Sequence, residues 1–336
     1  MTSRDLVIKS LRHEPVERAP RDLWTLPGIR MFRSDELDRM LVEYPIDFTV
    51  PNVRYGDSLR REGTPDRIGK YTDEWGCVWH VAEDGVVGEV KEFPIPYWPA
   101  LRKFKPPYEI LDNADFSMVN KGCAETSKFV LANSQARPFE RLQFLRGSER
   151  TFIDLMYSSI ELFLLLDMMH DYYTREIRML VETDVDGISF MDDWGAQDSL
   201  LISPDMWRDI FKPFYKDYCE IIHGAGKFAF MHSDGFIEPI IPDLFEIGVD
   251  ALNSQLFCMD IEDIGEKYAG KVTFWGEIDR QLVLPFGTKE DVRNAVRRVR
   301  KALDKGQGGV IAQAEWGLGV NYENIATVFD EWLKPL

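Results

Sequence analysis

The second half of the chain alternates short apolar runs with amphipathic segments, and this order limits its possible folds more than any other sequence feature. Each run has the length of a β-strand, and each segment between runs has the periodicity of an α-helix. Such alternation is typical of βα units on a parallel sheet. The runs cover residues 187–191, 227–231, 249–253, 272–276 and 309–313, and the helical patterns begin near Pro204, Ile237, Ile261, Thr288 and Tyr322.

Three earlier apolar runs raise the number of predicted strands to eight. They lie at residues 21–26, 47–52 and 128–133. Eight parallel strands close a barrel, with their helices on the outside. We therefore expect an α/β fold, a (β/α)8 TIM barrel that forms a single domain over residues 1–336.

An insertion is expected between the second and third strands. Residues 71–95 alternate polar and apolar positions around a turn at Glu83, Asp84 and Gly85, which predicts an antiparallel hairpin. Several prolines then follow, and they favour an irregular return to the barrel. The hairpin and the irregular segment together are predicted at about 54–127.

Composition and charge exclude several classes of function. The chain has 336 residues, 45% hydrophobic and 29% charged, as in a globular protein with a large core. Its formal net charge of −17 would repel a phosphate backbone, so nucleic acid is not an expected partner. The four cysteines form no CxxC pair, and no run of about 18 apolar residues is present. We therefore expect a cytoplasmic protein that neither crosses a membrane nor anchors to one.

Polar residues follow the predicted strands, at the end of a barrel where active sites form. His232 follows its strand directly, which predicts a metal ligand or an acid/base group, with a structural histidine as the alternative. Asp192 and Asp193 also follow a strand, and one carboxylate can point into the mouth while the other caps a loop. The remaining polar positions are Thr25, Asn52, Asn133, Ser134, Asp234, Asn253, Gln255, Glu277, Asp279, Gln313 and Glu315.

Glu277 and Glu315 follow the seventh and eighth strands, which are neighbours in a barrel. A histidine with two or three carboxylates suits Zn²⁺ or a similar divalent ion. Alternatively, these acids are solvated or paired with Arg280. Tryptophans at the rim can wall a substrate pocket, although core packing explains most tryptophans. The predicted catalytic residues are Asp192, Asp193 and His232, and the predicted contacts to a small-molecule substrate are Trp24, Asn52, Trp194, Asn253, Gln255 and Arg280.

Four segments together resemble the uroporphyrinogen decarboxylase superfamily. They read YTDEWGCVW, MDDWGAQDSLLISPDMWRDIFKPFYK, MHSDGFIEPIIPDLFEIGVDALN and WGEIDRQLVLPFGTKEDVR. The likeness runs from about Arg12 to the C-terminus, and segments of this length and order are more specific than a short motif. The resemblance implies a (β/α)8 barrel, which agrees with the number of strands.

Two motifs of the decarboxylase branch are replaced. That branch carries Arg-Gln-Ala-Gly-Arg after the first strand to hold the carboxylates of its substrate, whereas this chain has LWTLPGIRMFR, with Arg30 and Arg33. Its Gly-His-Gly near the eighth strand is replaced by Glu315-Trp316-Gly317. Decarboxylation of a porphyrinogen or another acid, using Asp47, Asp192 or Asp193, is therefore the second hypothesis. A barrel that binds a ligand without catalysis is the third.

The chain is more similar to the corrinoid-linked methyltransferase branch. That branch binds zinc through a His-x-Cys element and a later cysteine; here His232 is kept, Asp234 replaces the first cysteine, and the later cysteine falls near Trp316. We expect a harder Zn²⁺ site of His232, Glu277 and Glu315, with Asp234 as a further candidate. The resemblance implies methyl transfer or demethylation of a small methoxylated or methylated compound, and a homodimer. No corrinoid-binding DxHxxG motif is present, so the corrinoid is expected on a separate protein.

Overall fold

A nearly closed barrel of eight parallel strands forms the centre of the computed structural model, which describes residues 1–334. The strands, including three outside the barrel, are β1 (Arg21–Thr25), β2 (Phe48–Thr49), β3 (Gly69–Thr72), β4 (Val78–Val81), β5 (Glu89–Glu92), β6 (Phe129–Asn133), β7 (Gly187–Met191), β8 (Phe228–Ser233), β9 (Ala251–Ser254), β10 (Thr273–Trp275) and β11 (Val310–Trp316). Around the barrel the order is β1-β11-β10-β9-β8-β7-β6-β2, and every pairing is parallel. The predicted (β/α)8 barrel is confirmed, because each predicted strand centre falls within a barrel strand.

Helices connect the strands on the outside of the barrel. They are α1 (Ser3–Leu11), α2 (Pro27–Phe32), α3 (Ser34–Glu43), α4 (Tyr108–Asp112), α5 (Ser117–Ala124), α6 (Pro138–Arg146), α7 (Ser148–Tyr157), α8 (Ile160–Val181), α9 (Pro204–Ile210), α10 (Lys212–Gly224), α11 (Ile241–Glu246), α12 (Ile261–Tyr268), α13 (Val283–Phe286), α14 (Lys289–Leu303) and α15 (Tyr322–Trp332), with 3₁₀ turns at Trp98–Lys103, Glu238–Ile240 and Leu256–Cys258. Ser203 and Thr288 cap α9 and α14 through their hydroxyl groups, as their positions predict. Within residues 1–334, every helix lacks the length or the apolarity needed to span a bilayer.

The inserted segment is antiparallel, as predicted, but it contains three strands instead of two, in the order β3-β4-β5. The extra turn comes from Asp73, whose Oδ1 accepts the backbone N–H of Trp75 and Cys77 and so reverses the chain after β3. Its Oδ2 accepts the indole N–H of Trp79 at 3.0 Å and a guanidinium N–H of Arg141 at 2.9 Å. Because Arg141 belongs to α6, one buried carboxylate joins the inserted sheet to the barrel.

Asp47 closes the barrel between β1 and β2, the two ends of the strand order. Its backbone N–H donates to the Arg21 carbonyl at 2.8 Å, and its Oδ2 accepts the Arg21 N–H at 2.7 Å. Its carbonyl accepts the N–H of Phe129, the first residue of β6. Two guanidinium nitrogens of Arg18 bind the same carboxylate, which is 1% exposed. Asp47 therefore lies at the amino ends of the strands, away from the mouth, so it is not placed to serve the decarboxylation considered above.

A buried carboxylate also supports the barrel interior. Asp22 accepts the indole N–H of Trp24 at 3.0 Å and that of Trp275 at 2.9 Å, both on Oδ2, while its Oδ1 accepts the Leu23 N–H. Burial raises the pKa of Asp22 to about 6, against the lowering effect of these hydrogen bonds. Asp22 thus fixes two aromatic rings that lie inside the barrel.

Replacing Asp47 with alanine removes the acceptor shared by Arg18, Ser3 and the Arg21 backbone. Because a buried pair is broken, we expect the free energy of unfolding to fall by about 3 kcal/mol. Urea denaturation at neutral pH measures this. Asp38→Ala, at an exposed position of α3, is the control and should stay within about 0.5 kcal/mol of the wild type. Equal stability of the two variants would contradict this account of barrel closure.

Asp22 predicts a specific pH dependence of stability. Its folded pKa lies above the ordinary value of 3.8, so the stability that it contributes is full below that value and is lost as pH rises to about 6. An amide at this position does not titrate. The free energy of unfolding of Asp22→Asn relative to wild type should therefore rise by on the order of 2 kcal/mol between acidic and neutral pH. Urea denaturation of both proteins across this range tests it, and a difference independent of pH would be the contrary result.

Candidate functional site

Four strands bring side chains with polar groups to the carboxyl end of the barrel. Along β8, alternate residues face the interior: Phe230 packs in the inner aromatic cluster, and His232 comes two residues later. Asn253 of β9 is directly beside His232 in the strand register, and Trp24 of β1 pairs with Glu315 of β11. The barrel therefore places these four side chains around one mouth.

His232 is held in one orientation by Asn253. The His232 Nδ1 lies 2.6 Å from Asn253 Oδ1, and the Asn253 amide N–H donates to the Trp275 carbonyl. Because the Asn253 amide nitrogen donates to the Trp275 carbonyl, Asn253 Oδ1 is the atom that faces the imidazole, and it accepts the Nδ1 proton of His232. In the neutral imidazole, the lone pair is then on Nε2, which is the arrangement typical of metal-binding histidines.

Two carboxylates lie beside the Nε2 atom of His232. It is 3.5 Å from Asp193 Oδ1 and 3.4 Å from Asp234 Oδ1. In the described part of the chain, these three residues form the group of histidine and acid side chains whose potential ligand atoms meet, all within 4.8 Å of one another. Asp234 Oδ1 is buried without a hydrogen-bond partner among residues 1–334, and Asp193 Oδ1 also accepts the Asp234 N–H.

Arg280 binds the two glutamates that the sequence analysis assigned to a metal. Its Nε lies 3.2 Å from Glu277 Oε1 and its Nη1 2.9 Å from Glu315 Oε1, while its Nη2 pairs with Asp234 Oδ2. The structure thus brings His232, Glu277 and Glu315 to one mouth, but the two glutamates meet around a guanidinium and not around His232. Burial raises the pKa of Glu277 well above its ordinary value, although the charge of Arg280 lowers it.

Asp192, predicted to be catalytic, is fully buried. Its two oxygens accept the N–H groups of Phe139 and Glu140, both at 2.7 Å, and its Oδ2 accepts the Tyr215 hydroxyl. These contacts hold the first turn of α6 against the end of β7. Burial raises the pKa of Asp192, and the negative charge of Glu140 raises it further. Asp192 therefore positions α6, whereas its neighbour Asp193 is at the mouth.

The predicted substrate contacts fall in different places. Trp24 lies at the mouth, with its ring centre 5.1 Å from that of His232. Gln255 and Arg280 line a small cavity of about 70 Å³ together with Glu277, so a compact group fits there. Trp194 is instead in the outer core, stacked on Phe139, and its indole N–H donates to Tyr215.

The other two predicted contacts, Asn52 and Asn253, serve different roles. Asn52 is exposed three residues beyond β2. Asn253 is 1% exposed and hydrogen-bonds to His232 Nδ1, so its role is to position the His232 side chain.

Residues at the start of α6 were missed because they come several positions after the end of β6. Burial raises the pKa of Glu140, and the charges of Arg137, Asp193 and His232 also act on it. Arg137 lies 3.8 Å from this carboxylate. Gln313 was noted only as a polar residue, yet it is 1% exposed and both of its amide atoms lack a hydrogen-bond partner within the described residues. The sequence signal that could have revealed the start of α6 is the Arg137-Pro138 pair, because proline is frequent at the first position of a helix.

The loops after β7 and β8 touch backbone to backbone at two glycines. A Cβ added to Gly195 would lie 2.3 Å from the Phe236 nitrogen, and one added to Gly235 would lie 2.2 Å from the Gly195 carbonyl oxygen. Gly195 N–H also donates to the Asp234 carbonyl at 3.0 Å. This contact fixes the separation of the loops that carry Asp193 and Asp234.

Comparisons with known proteins agree with this architecture. No curated protein matches the chain. Among solved structures, a methyltransferase from Methanosarcina mazei is 14% identical with a TM-score of 0.72, covering 99% of this chain and 98% of its own; this likeness shows the fold. The 3-keto-D-glucoside 4-epimerase from E. coli is 12% identical with a TM-score of 0.40, covering 73% and 96%, too low to carry an argument. The family model described as uroporphyrinogen decarboxylase (URO-D) matches residues 137–332, more than half of the chain, and the chain therefore belongs to that family.

Proposed function

We propose that this chain is a metal-assisted methyltransferase that takes a methyl group from a small methoxylated or methylated compound. The acceptor is cob(I)alamin on a separate corrinoid protein. The observation that carries the proposal is the group of His232 Nε2, Asp193 Oδ1 and Asp234 Oδ1 at the mouth. The fold shared with a methyltransferase supports it.

The residues at the mouth fit a divalent ion such as Zn²⁺. The imidazole and two carboxylates are suitable ligands, and three protein ligands leave a position for substrate. In the part of the chain that the structure describes, Asp234 Oδ1 is buried without a hydrogen-bond partner, as expected of an atom that serves as a ligand. Since Glu277 and Glu315 bind Arg280, we propose Asp193, His232 and Asp234 as the ligands in place of the set that the sequence suggested.

The other side chains at the mouth have distinct tasks. A bound Zn²⁺ would supply Lewis acidity toward the leaving oxygen of the substrate. Trp24 forms an apolar wall beside His232 that suits a methyl group. Arg280 holds Asp234 in place through Nη2. Burial raises the pKa of Glu277 well above its ordinary value, although the charge of Arg280 lowers it. This carboxyl group is therefore our candidate for the acid that protonates the oxygen when its bond to the methyl carbon breaks.

Decarboxylation of a porphyrinogen is less well supported by the charges around the mouth. Recognition of clustered carboxylates requires free guanidinium groups. Of the two arginines noted after β1, Arg33, between α2 and α3, already binds the Glu36 carboxylate and the Val320 carbonyl. The carboxylates of Asp193 and Asp234 would repel an anionic substrate. A barrel that binds ligands without catalysis remains the outcome if neither reaction occurs.

The proposed ligands predict which variants lose the metal. His232→Ala and Asp234→Asn should each weaken Zn²⁺ binding at least tenfold in a calorimetric titration of metal-stripped protein, because a ligand is lost. Glu315→Gln is the matched control, since this carboxylate binds Arg280, and it should change affinity by less than about threefold. The reverse pattern would return the site to the glutamates. Thermal unfolding checks that each variant is folded.

Methyl transfer is tested directly with methoxylated aromatic compounds and methylated amines, a corrinoid protein and its reductant. Formation of the cobalt–carbon bond is followed by the absorbance change from cob(I)alamin to methylcobalamin. We expect turnover with one substrate class and a loss of about 100-fold or more in Asp234→Asn. The absence of methylcobalamin over the whole panel, together with conversion of uroporphyrinogen to coproporphyrinogen, would establish the decarboxylase alternative.

A further inference from the structure

One glutamine side chain inside the barrel is buried without a hydrogen-bond partner. Ile311 of β11 packs in the inner aromatic cluster, so the alternate residues Gln313 and Glu315 face the same interior. Gln313 is 1% exposed, and within residues 1–334 neither its Oε1 nor its Nε2 forms a hydrogen bond. Native proteins leave few buried polar atoms unpaired, and such atoms commonly receive a ligand or a bound water.

The polar neighbours of Gln313 are engaged elsewhere. Asp22 is beside it in the strand register, but the Asp22 carboxylate accepts one backbone N–H and two indole N–H groups. Glu277 and Glu315 bind Arg280. Among the described residues, the Gln313 amide therefore keeps an unused acceptor and an unused donor just below the mouth.

Gly276 provides the space in which this amide lies. A Cβ atom added to Gly276 would be 2.3 Å from Gln313 Oε1 and 2.8 Å from Gln313 Cβ. Gly276 also has a φ of +73°, in the left-handed region that favours glycine. Since Glu277 comes directly after Gly276, a group bound to this amide would lie beside the strand end that carries our candidate acid.

We propose that Gln313 is a substrate-binding residue, and that it recognises a hydrogen-bond donor and an acceptor on neighbouring atoms of the substrate. A carboxamide accepts at its oxygen and donates at its nitrogen, so its complement carries the same two functions side by side. A hydroxyl next to an ether oxygen has this arrangement, and so does a second carboxamide. The inference rests on the proposed function, and it adds a requirement on the substrate beyond its methyl group.

Charged groups fit this position poorly. A carboxylate offers acceptors alone, so it would leave Gln313 Oε1 unpaired, and the negative charges of Asp22 and Glu315 lie close by. An ammonium group offers donors alone and would leave Nε2 unpaired. We therefore expect the substrate to be uncharged where it meets Gln313, with an apolar part that can lie against Trp24.

Calorimetric binding of model compounds to the purified protein tests the proposal without the corrinoid protein. Guaiacol carries a hydroxyl beside a methoxy oxygen, whereas both oxygens of veratrole are methylated and the donor is lost. We expect the wild type to bind guaiacol about tenfold or more tighter than veratrole, and Gln313→Met to bind the two within about threefold of each other. Ortho-methoxybenzamide and its N,N-dimethyl derivative form a second pair, which tests the carboxamide arrangement. The pair that the wild type discriminates shows which arrangement the substrate carries.

Two further measurements separate substrate contact from a structural role. Gln143→Met is the matched control, since this glutamine lies in the second half of α6, and it should keep the wild-type preference. Gln313→Met should melt at the same temperature as the wild type or higher, because it removes two unpaired polar atoms at nearly constant side-chain volume. A lower melting temperature with an unchanged preference would show a structural amide and overturn the proposal.

The binding results alone can also decide against the proposal. Equal binding of both members of each pair by the wild type would overturn it, and so would the absence of binding by all four compounds. The proposed methyl transfer can fail separately. A preference for guaiacol that is lost in Gln313→Met, with no methylcobalamin formed from guaiacol, would contradict the transfer and leave the substrate contact of Gln313 standing.

Discussion

The contacts of Asp47 are the ones on which the rest of the molecule depends, because they join the two strands that the barrel order leaves at its ends. They hold Phe48 inside the barrel, where its ring stacks on that of Trp275. The Trp275 carbonyl in turn orients the amide of Asn253, and that amide sets the tautomer of His232. A closure at the bottom of the barrel is thus linked by successive contacts to the chemistry at the top.

The mouth contains more negative than positive charge, and the structure distributes it unequally. Arg280 compensates Glu277, Glu315 and one oxygen of Asp234. Asp192 instead accepts hydrogen bonds from the backbone N–H groups of Phe139 and Glu140 and from the Tyr215 hydroxyl. Among residues 1–334, Asp234 Oδ1 remains buried without a hydrogen-bond partner, close to His232 Nε2 and Asp193 Oδ1. The cation that we propose at this point would compensate that oxygen.

The sequence was sufficient for the barrel because its strands are short apolar runs bounded by clear helix signals, such as Ser203 and Thr288 at helix starts. It was also sufficient to bring His232 and one of Asp192 and Asp193 to the mouth, since His232 lies near the end of β8 and the two aspartates follow β7. It could not assign Trp194, because adjacent positions of an extended chain face opposite sides, and here Asp193 takes the mouth while Trp194 turns to the outer core.

The sequence offered pairing of Glu277 and Glu315 with Arg280 as an alternative to a metal site, but it could not decide between the two. Three carboxylates from separate strand ends compete for one guanidinium, and only the positions of the loops in space decide which acids remain free. The contacts of Arg33 show the same limit. Its pairing with Glu36, three residues away, can be predicted from the sequence, but its hydrogen bond to the Val320 carbonyl joins residues that are distant in the chain.

The contact between Gly195 and Gly235 has a consequence for how this mouth can diversify. Each glycine lies against the backbone of the other loop, with no room for a Cβ atom. A side chain at either position would therefore push apart the loops that carry Asp193 and Asp234. Loop grafting at β7 or β8 alone would therefore disturb the geometry of the site. The two loops can therefore change only together if the site is to keep its geometry.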